Sequence, residues 1–260
     1  MFAEQIIWIT GASSGIGAAL ARAWAGAGAR LILSGRRRDA LEQVAAACAP
    51  AECLILPFEA TDFAALPTIV EQALAWKGRV DILVNNAGIS QRSLAVDTEL
   101  PVYQRLMDVD FFGPVALTQQ LLPHFVQRGS GRVVQIASVA GKVGVPLRTG
   151  YCAAKHALIG YSDALRAELA PYGIQVHVVI PGFVRTEIAK NALRAGAGVG
   201  GEDPVDSGMD PGRAAAAILR GMDRGLPEIP VGEGREMGAL WLRRLWPGLL
   251  FRQVALRSKP

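Results

Sequence analysis

The chain has 260 residues, 51% of them hydrophobic and 19% charged, with a net charge of +4. That length and apolar content exclude a small stapled module and a disordered chain, and suit one large α/β domain. The 29 glycines follow no fixed period, which excludes collagen and repeat arrays.

In chain order, residues 5–10 form an apolar, β-branched run that predicts a strand. Residues 15–27 are Ala-rich with apolar positions at helical spacing. A strand at 30–34 and a helix at 40–47 follow. Further strands are predicted at 53–58, 80–84, 132–137 and 174–180, with helical patterns at 63–76, 101–127 and 150–170. Several strands are continuous apolar runs, the mark of parallel strands covered on both faces. The alternating order predicts a single doubly wound domain, a Rossmann-type α/β fold with helices on both faces of the sheet. Its ligand crevice belongs at the carboxyl ends of the strands.

The first strand-to-helix turn reads Thr10-Gly11-Ala12-Ser13-Ser14-Gly15-Ile16-Gly17. Glycines there permit a tight turn and let backbone N–H groups approach a pyrophosphate at a helix N-terminus. The spacing differs from the commoner Gly-x-Gly-x-x-Gly, and an ordinary tight turn is the plain alternative. Position in the first turn of an α/β pattern favours a dinucleotide. An NAD site usually carries an acid after the second strand, for the ribose hydroxyl. Here the stretch is Ser34-Gly35-Arg36-Arg37-Arg38. Arg36 or Arg37 is placed to fork onto a 2′-phosphate, which favours NADP(H).

Tyr151 and Lys155 lie one helical turn apart, on one face. A tyrosine, with an ordinary pKa near ~10, needs a neighbouring cation to work as an acid–base group at neutral pH. Ser138 follows directly on an apolar strand and is placed to hydrogen-bond a substrate oxygen. Alone, a Tyr-x-x-x-Lys pair is common by chance.

Taken with Asn85-Asn86-Ala87-Gly88 and with Pro181-Gly182 followed by Thr186, these motifs resemble the short-chain dehydrogenase/reductase family. The match spans roughly residues 5–187, and it implies a mostly parallel seven-stranded sheet. It implies hydride transfer between NADP(H) and a carbonyl or alcohol, with Ser138, Tyr151 and Lys155 catalytic. The implied cofactor contacts are Gly11, Ser13, Ser14, Gly15, Ile16, Gly17, Arg36, Arg37, Glu59, Ala60, Asn86, Ala87, Gly88, Tyr151, Lys155, Pro181, Gly182, Val184 and Thr186. Glu59-Ala60 stand where the family often has Asp-Val. Asp110 stands where it usually has an asparagine that helps hold a water behind the lysine. This aspartate counts as a fourth catalytic-site residue that alters the pH optimum by adding negative charge near Lys155 and raising the lysine and tyrosine pKa.

The resemblance also implies a homodimer or homotetramer. Gln91 and Val145 are assigned to the substrate, together with Ser138 and Tyr151. Residues 187–211, rich in small side chains, are expected to form a substrate lid. An apolar ketone, aldehyde or steroid-like substrate is favoured. A 3-oxoacyl-thioester reductase is the alternative, and a non-catalytic NADP-binding scaffold is the alternative of another class.

The catalytic domain is expected to span 1–235. Residues 236–260 form a basic, aromatic tail with Trp241, Trp246 and Phe251 among Arg243, Arg244 and Arg252. It is expected to pack on the body or a partner subunit, with docking on anionic lipid as the second reading, and Pro247 breaks its helix. No basic stripe with stacking aromatics marks a nucleic-acid binder. His124, His156 and His177 share no ligand spacing, so no metal is expected. Three cysteines, Cys48, Cys53 and Cys152, an apolar start without a basic leader, and no run of ~20 apolar residues make a cytoplasmic protein the expectation.

Overall fold

The computed structural model describes residues 2–194 and 204–257. Seven strands form one parallel sheet: β1 (Ile6–Thr10), β2 (Arg30–Ser34), β3 (Cys53–Ile55), β4 (Ile82–Asn85), β5 (Gly131–Ile136), β6 (Ile174–Pro181) and β7 (Glu228–Val231). Their spatial order is β3-β2-β1-β4-β5-β6-β7. The chain winds outward from β1 in one direction and then from β4 in the other. The switch point lies between these two strands, and a crevice opens at their carboxyl ends. Every residue of β1 and β4 is buried, as their unbroken apolar runs require. The sheet edge at β3 keeps only three strand residues, because it pairs with β2 alone. The seventh strand, β7, carries Pro230 on the outer edge, where no neighbour needs its missing N–H.

Helices cover both faces: α1 (Gly15–Gly26), α2 (Arg38–Ala46), α3 (Leu66–Lys77), α4 (Leu100–Met107), α5 (Gly113–Arg128), α6 (Thr149–Leu169) and α7 (Pro211–Asp223). One core joins α1 and α7 on one face of the sheet, where Ala18, Ala19 and Ala21 meet Ala214 and Ala215. The opposite core centres on Trp8, Leu121, Phe125 and Leu165.

The expected single helix at 101–127 is interrupted. Residues Asp108–Phe112 form a π-helical turn between α4 and α5. The cause is Pro114 in the first turn of α5. Proline has no N–H for the carbonyl four residues back, and its ring crowds that carbonyl, which belongs to Asp110. The widened turn falls at the residue where the sequence departs from the family pattern.

The C-terminal residues form α8 (Arg235–Leu245) and α9 (Pro247–Arg257), with proline opening the second helix. Leu250 is 4% exposed and joins Ala137, Val139, Val178 and Ile180, while Met237, Leu240 and Val254 pack alongside. Trp241, by contrast, is 70% exposed. Leu250→Ala is expected to cost about 2–5 kcal/mol, roughly 5–15 °C in melting temperature. Trp241→Ala should change stability by no more than about 0.5 kcal/mol. Thermal melts of the two variants would show the packing to be misjudged if they fell together.

Candidate active site

The cleft at the switch point encloses about 650 Å³. Its floor is the β1–α1 turn. Gly11 and Gly15 both take positive φ, 63° and 55°, which suits glycine. The turn is tied to the end of β4 by side chains. Thr10 Oγ1 accepts the backbone N–H groups of Asn86 and Ala87 at 3.0 and 3.1 Å, and Asn86 Nδ2 donates to the carbonyls of Thr10 and Gly11. Gly11, Ser13, Ser14, Gly15 and Ile16 line the cleft. Gly17 does not line it. A Cβ there would overlap the Gly11 carbonyl, so this glycine serves the close approach of helix to turn. Asn86 and Ala87 line the cleft too, but the Asn86 amide is used on the turn itself.

Arg36 and Arg37 stand at the cleft rim beyond β2, and the first turn of α1 contains no acid. Arg36 sits 3.8 Å from Glu59, which also meets Arg105 at 3.4 Å. Glu59 and Ala60 therefore form a wall held by arginines. At the other end, Pro181, Gly182, Val184 and Thr186 line the wall that follows β6.

Beside that wall lie the titratable groups. Ser138 follows β5, and its hydroxyl accepts the Ala140 N–H at 3.1 Å. Tyr151 and Lys155 project from α6 into the same place, with Lys155 Nζ 5.7 Å from the Tyr151 ring centre. Lys155 is buried. Its ammonium donates to the Ile136 carbonyl at 3.1 Å and stands 3.7 Å from Asp110 Oδ1. Asp110 is fully buried behind the lysine, outside the cleft wall. Its Oδ1 accepts the Ile89 N–H at 2.9 Å, while Oδ2 has no hydrogen-bond partner among the described residues. Gly88 makes the arrangement fit, since a Cβ there would lie 2.7 Å from Asp110 Oδ1.

Burial pushes the Asp110 carboxyl up to about 6, against the opposing pull of Lys155 and the Ile89 N–H. Burial also raises the Tyr151 phenol. Lys155 opposes that rise, Asp110 adds to it, and the Ser138 hydroxyl bonded to the phenol opposes it again. The set can hold a carbonyl oxygen between two hydroxyls and exchange a proton with it.

Not every expected residue comes to the cleft. Val145 lines it, but Gln91 does not. The Gln91 side chain is buried. It accepts the Gly150 N–H at 2.8 Å and donates to Ser93 and Thr98, so its polar atoms are consumed in bracing the start of α6. Of the expected lid, Glu187, Ile188, Asn191 and Val205 line the cleft, and residues 195–203 lie outside the described residues. Ile89, Arg148, Phe183 and Glu236 also line it, unmarked by any motif. His124 and His177 bond to backbone at Val80 and Leu226, and burial raises the Cys152 thiol; these are structural roles.

The comparisons with known proteins agree with this geometry. The family model described as short chain dehydrogenase matches residues 5–196. The chain belongs to this family. Bovine "Dehydrogenase/reductase SDR family member 7B" is 38% identical to it over 98% of this chain and 82% of the relative. A short-chain dehydrogenase structure from Streptomyces avermitilis superposes with a TM-score of 0.84 at 32% identity, covering 99% of this chain and 98% of that one. A metagenomic short-chain oxidoreductase in complex with NADP has a TM-score of 0.67 at 30% identity, covering 69% of this chain and 83% of that one. This short-chain dehydrogenase is an oxidoreductase of the nicotinamide-dinucleotide type. Its cleft fits such a group: a glycine cradle, a helix N-terminus free of acids, and cations at the far rim.

The raised Asp110 pKa fixes a sign for stability. A carboxyl easier to protonate folded than unfolded contributes fully below its ordinary value of 3.8, and the contribution is lost as pH rises through about 6. Asp110→Asn is therefore expected to melt with the parent near about pH 4 and above it near about pH 8. The same variant removes a charge that raises Tyr151, so the tyrosine-dependent limb of alcohol oxidation should move to lower pH. Equal melting differences at both pH values, with coincident rate profiles, would sink this reading of Asp110.

Proposed function

We propose that the chain is an NADP(H)-dependent oxidoreductase that interconverts an apolar carbonyl compound and its secondary alcohol. The observation that carries this reading is the placement of Tyr151 and Ser138 over the buried Lys155 ammonium, at the end of the glycine-floored cleft. When bound, the nicotinamide supplies or accepts the hydride. Ser138 and Tyr151 hold the substrate oxygen by hydrogen bonds. Tyr151 gives its proton to that oxygen during reduction and takes it back during oxidation. Lys155 stabilises the phenolate that remains, and its charge is held in place by Ile136 and Asp110.

Preference for the 2′-phosphorylated cofactor rests on Arg36, exposed at the rim beyond β2 where an acid would select NAD(H). An apolar substrate is supported by Ile89, Val139, Val145, Phe183 and Val205 around the cleft. Ile188, Asn191 and Val205, from the described residues on either side of 195–203, bring one apolar-to-polar wall to the cleft. Exposed Leu94, Val96, Leu100 and Phe112, on and before α4 and α5, support assembly into a homodimer or homotetramer.

A panel of carbonyls followed by cofactor absorbance tests the proposal. NADPH should reduce aromatic or steroid ketones, and Tyr151→Phe should lose about 10²- to 10⁴-fold of the rate. Arg36→Ala should raise KM for NADPH about ten- to a hundredfold and leave NADH nearly unaffected. Turnover confined to acetoacetyl thioesters would favour the acyl-thioester reductase instead. NADPH binding without turnover on any carbonyl would make the chain a cofactor-binding scaffold.

The outer face of α8 and α9 adds a partner. It exposes Trp241, Leu245, Trp246, Leu249, Phe251 and Leu256 beside Arg243, Arg244 and Arg252, while the one acid, Glu236, turns toward the cleft. Exposed basic and aromatic side chains on these two helices suit an anionic lipid surface. The protein should co-sediment with phosphatidylserine-containing vesicles at low salt and less so after Arg243→Glu/Arg244→Glu. A parent that stays in the supernatant, with sedimentation velocity showing the face covered in an oligomer, would replace lipid by a second copy.

A further inference from the structure

We propose that Glu236 is a positioning residue for the nicotinamide end of the cleft, and that through it the C-terminal helices form part of the active site. This rests on the dinucleotide reading above. Glu236 is the first-turn acid of α8 and lines the cleft, yet it belongs to no motif. An acid at a helix N-terminus ordinarily serves its own helix. This one also reaches a second segment of chain. Its Oε1 accepts the backbone N–H of Phe183 at 3.2 Å, 53 residues earlier in the chain.

The carboxylate occupies a socket walled by two glycines. A Cβ added at Gly182 or at Gly234 would overlap it, while one at Gly232 would meet the Met237 sulfur first. The socket straddles the ends of β6 and β7, because Gly182 N donates to the Val231 carbonyl at 2.8 Å. The segment after β6 is thus gripped on successive atoms. Gly182 N is tied to β7, the Phe183 carbonyl accepts Met209 N at 2.8 Å, and Phe183 N goes to Glu236. Without the carboxylate, that N–H at the cleft wall would have no acceptor among the described residues, and the wall between Gly182 and Val184 would keep its two ties to Val231 and Met209 while losing the third. Gly182 and Val184 both line the cleft, so their placement sets how the wall meets a bound ring.

Two variants test this from opposite sides. Glu236→Ala removes the carboxylate. Gly234→Ala keeps it but fills the socket, and Gly234 has an extended backbone, φ −90° and ψ −179°, that alanine adopts without strain. NADPH binding is read by the enhancement of its fluorescence in the full-length protein, with melting temperature and steady-state kinetics alongside. Both variants should weaken NADPH binding about tenfold and raise its KM more than they lower kcat, as loss of one charge-assisted hydrogen bond requires. Glu236→Gln should restore most of the affinity, since its amide oxygen can still accept from Phe183. Affinity within about twofold of the parent in either alanine variant would overturn the proposal. So would a glutamine variant as weak as alanine, or a lowered melting temperature with unchanged binding. A parent that binds no dinucleotide would overturn the functional reading first and this inference with it.

Discussion

The Lys155 ammonium sits almost out of water, and the geometry of the site follows from what holds it there. A buried ammonium needs acceptors within reach, or its desolvation is too costly to keep. Here the acceptors come from different elements: the Ile136 carbonyl at the end of β5 and the Asp110 carboxyl in the π-turn before α5. To satisfy both, α6 must cross the carboxyl end of β5 at a fixed height and rotation. One turn earlier on the same face of α6, Tyr151 is then carried to the cleft. Two residues past Ile136, Ser138 meets it from the strand side. The two hydroxyls are thus positioned as a consequence of burying one cation.

The same tight construction explains why glycine appears where it does. Gly17 permits α1 to rest against the Gly11 carbonyl, and Gly88 permits the Asp110 carboxyl to approach the chain that follows β4. In both places a methyl group would displace a polar atom the site depends on. Interiors packed this closely have no slack to absorb such a shift. The Thr10–Asn86 clasp adds the polar counterpart, joining the two strand ends that define the crevice.

What the sequence made legible was local. The glycine turn, the apolar runs of parallel strands and the Tyr151/Lys155 pair each lie within a few residues, where backbone periodicity dictates what faces what. The residues that escaped are those whose partners are distant. Gln91 follows a motif and is polar, which points to the substrate, but its oxygen meets Gly150, 59 residues away, and only the packed fold shows it. Glu236 meets Phe183 across the junction of two strands. The break at Asp108–Phe112 did carry a local signal: Pro114 stands four residues after Asp110, the spacing at which proline obstructs a helical carbonyl. The apolar pattern on either side runs through without a gap, which is why it reads as one helix.

That break also decides what Asp110 can do. In a regular helix the backbone would be closed at this point, and the side chain would have only its own rotamers to find partners. In the widened turn it reaches Ile89 and Lys155 through one oxygen and leaves the other with no partner among the described residues. An amide at this position would be neutral at every pH. A carboxyl is neutral only while it holds a proton, and burial keeps that proton on until about 6. Passing from mildly acidic to neutral solution therefore adds one negative charge behind the lysine. That charge partly offsets the lysine's pull on Tyr151. The sequence departure at residue 110 thus acts on the electrostatics of the phenol, through the cation that both groups share.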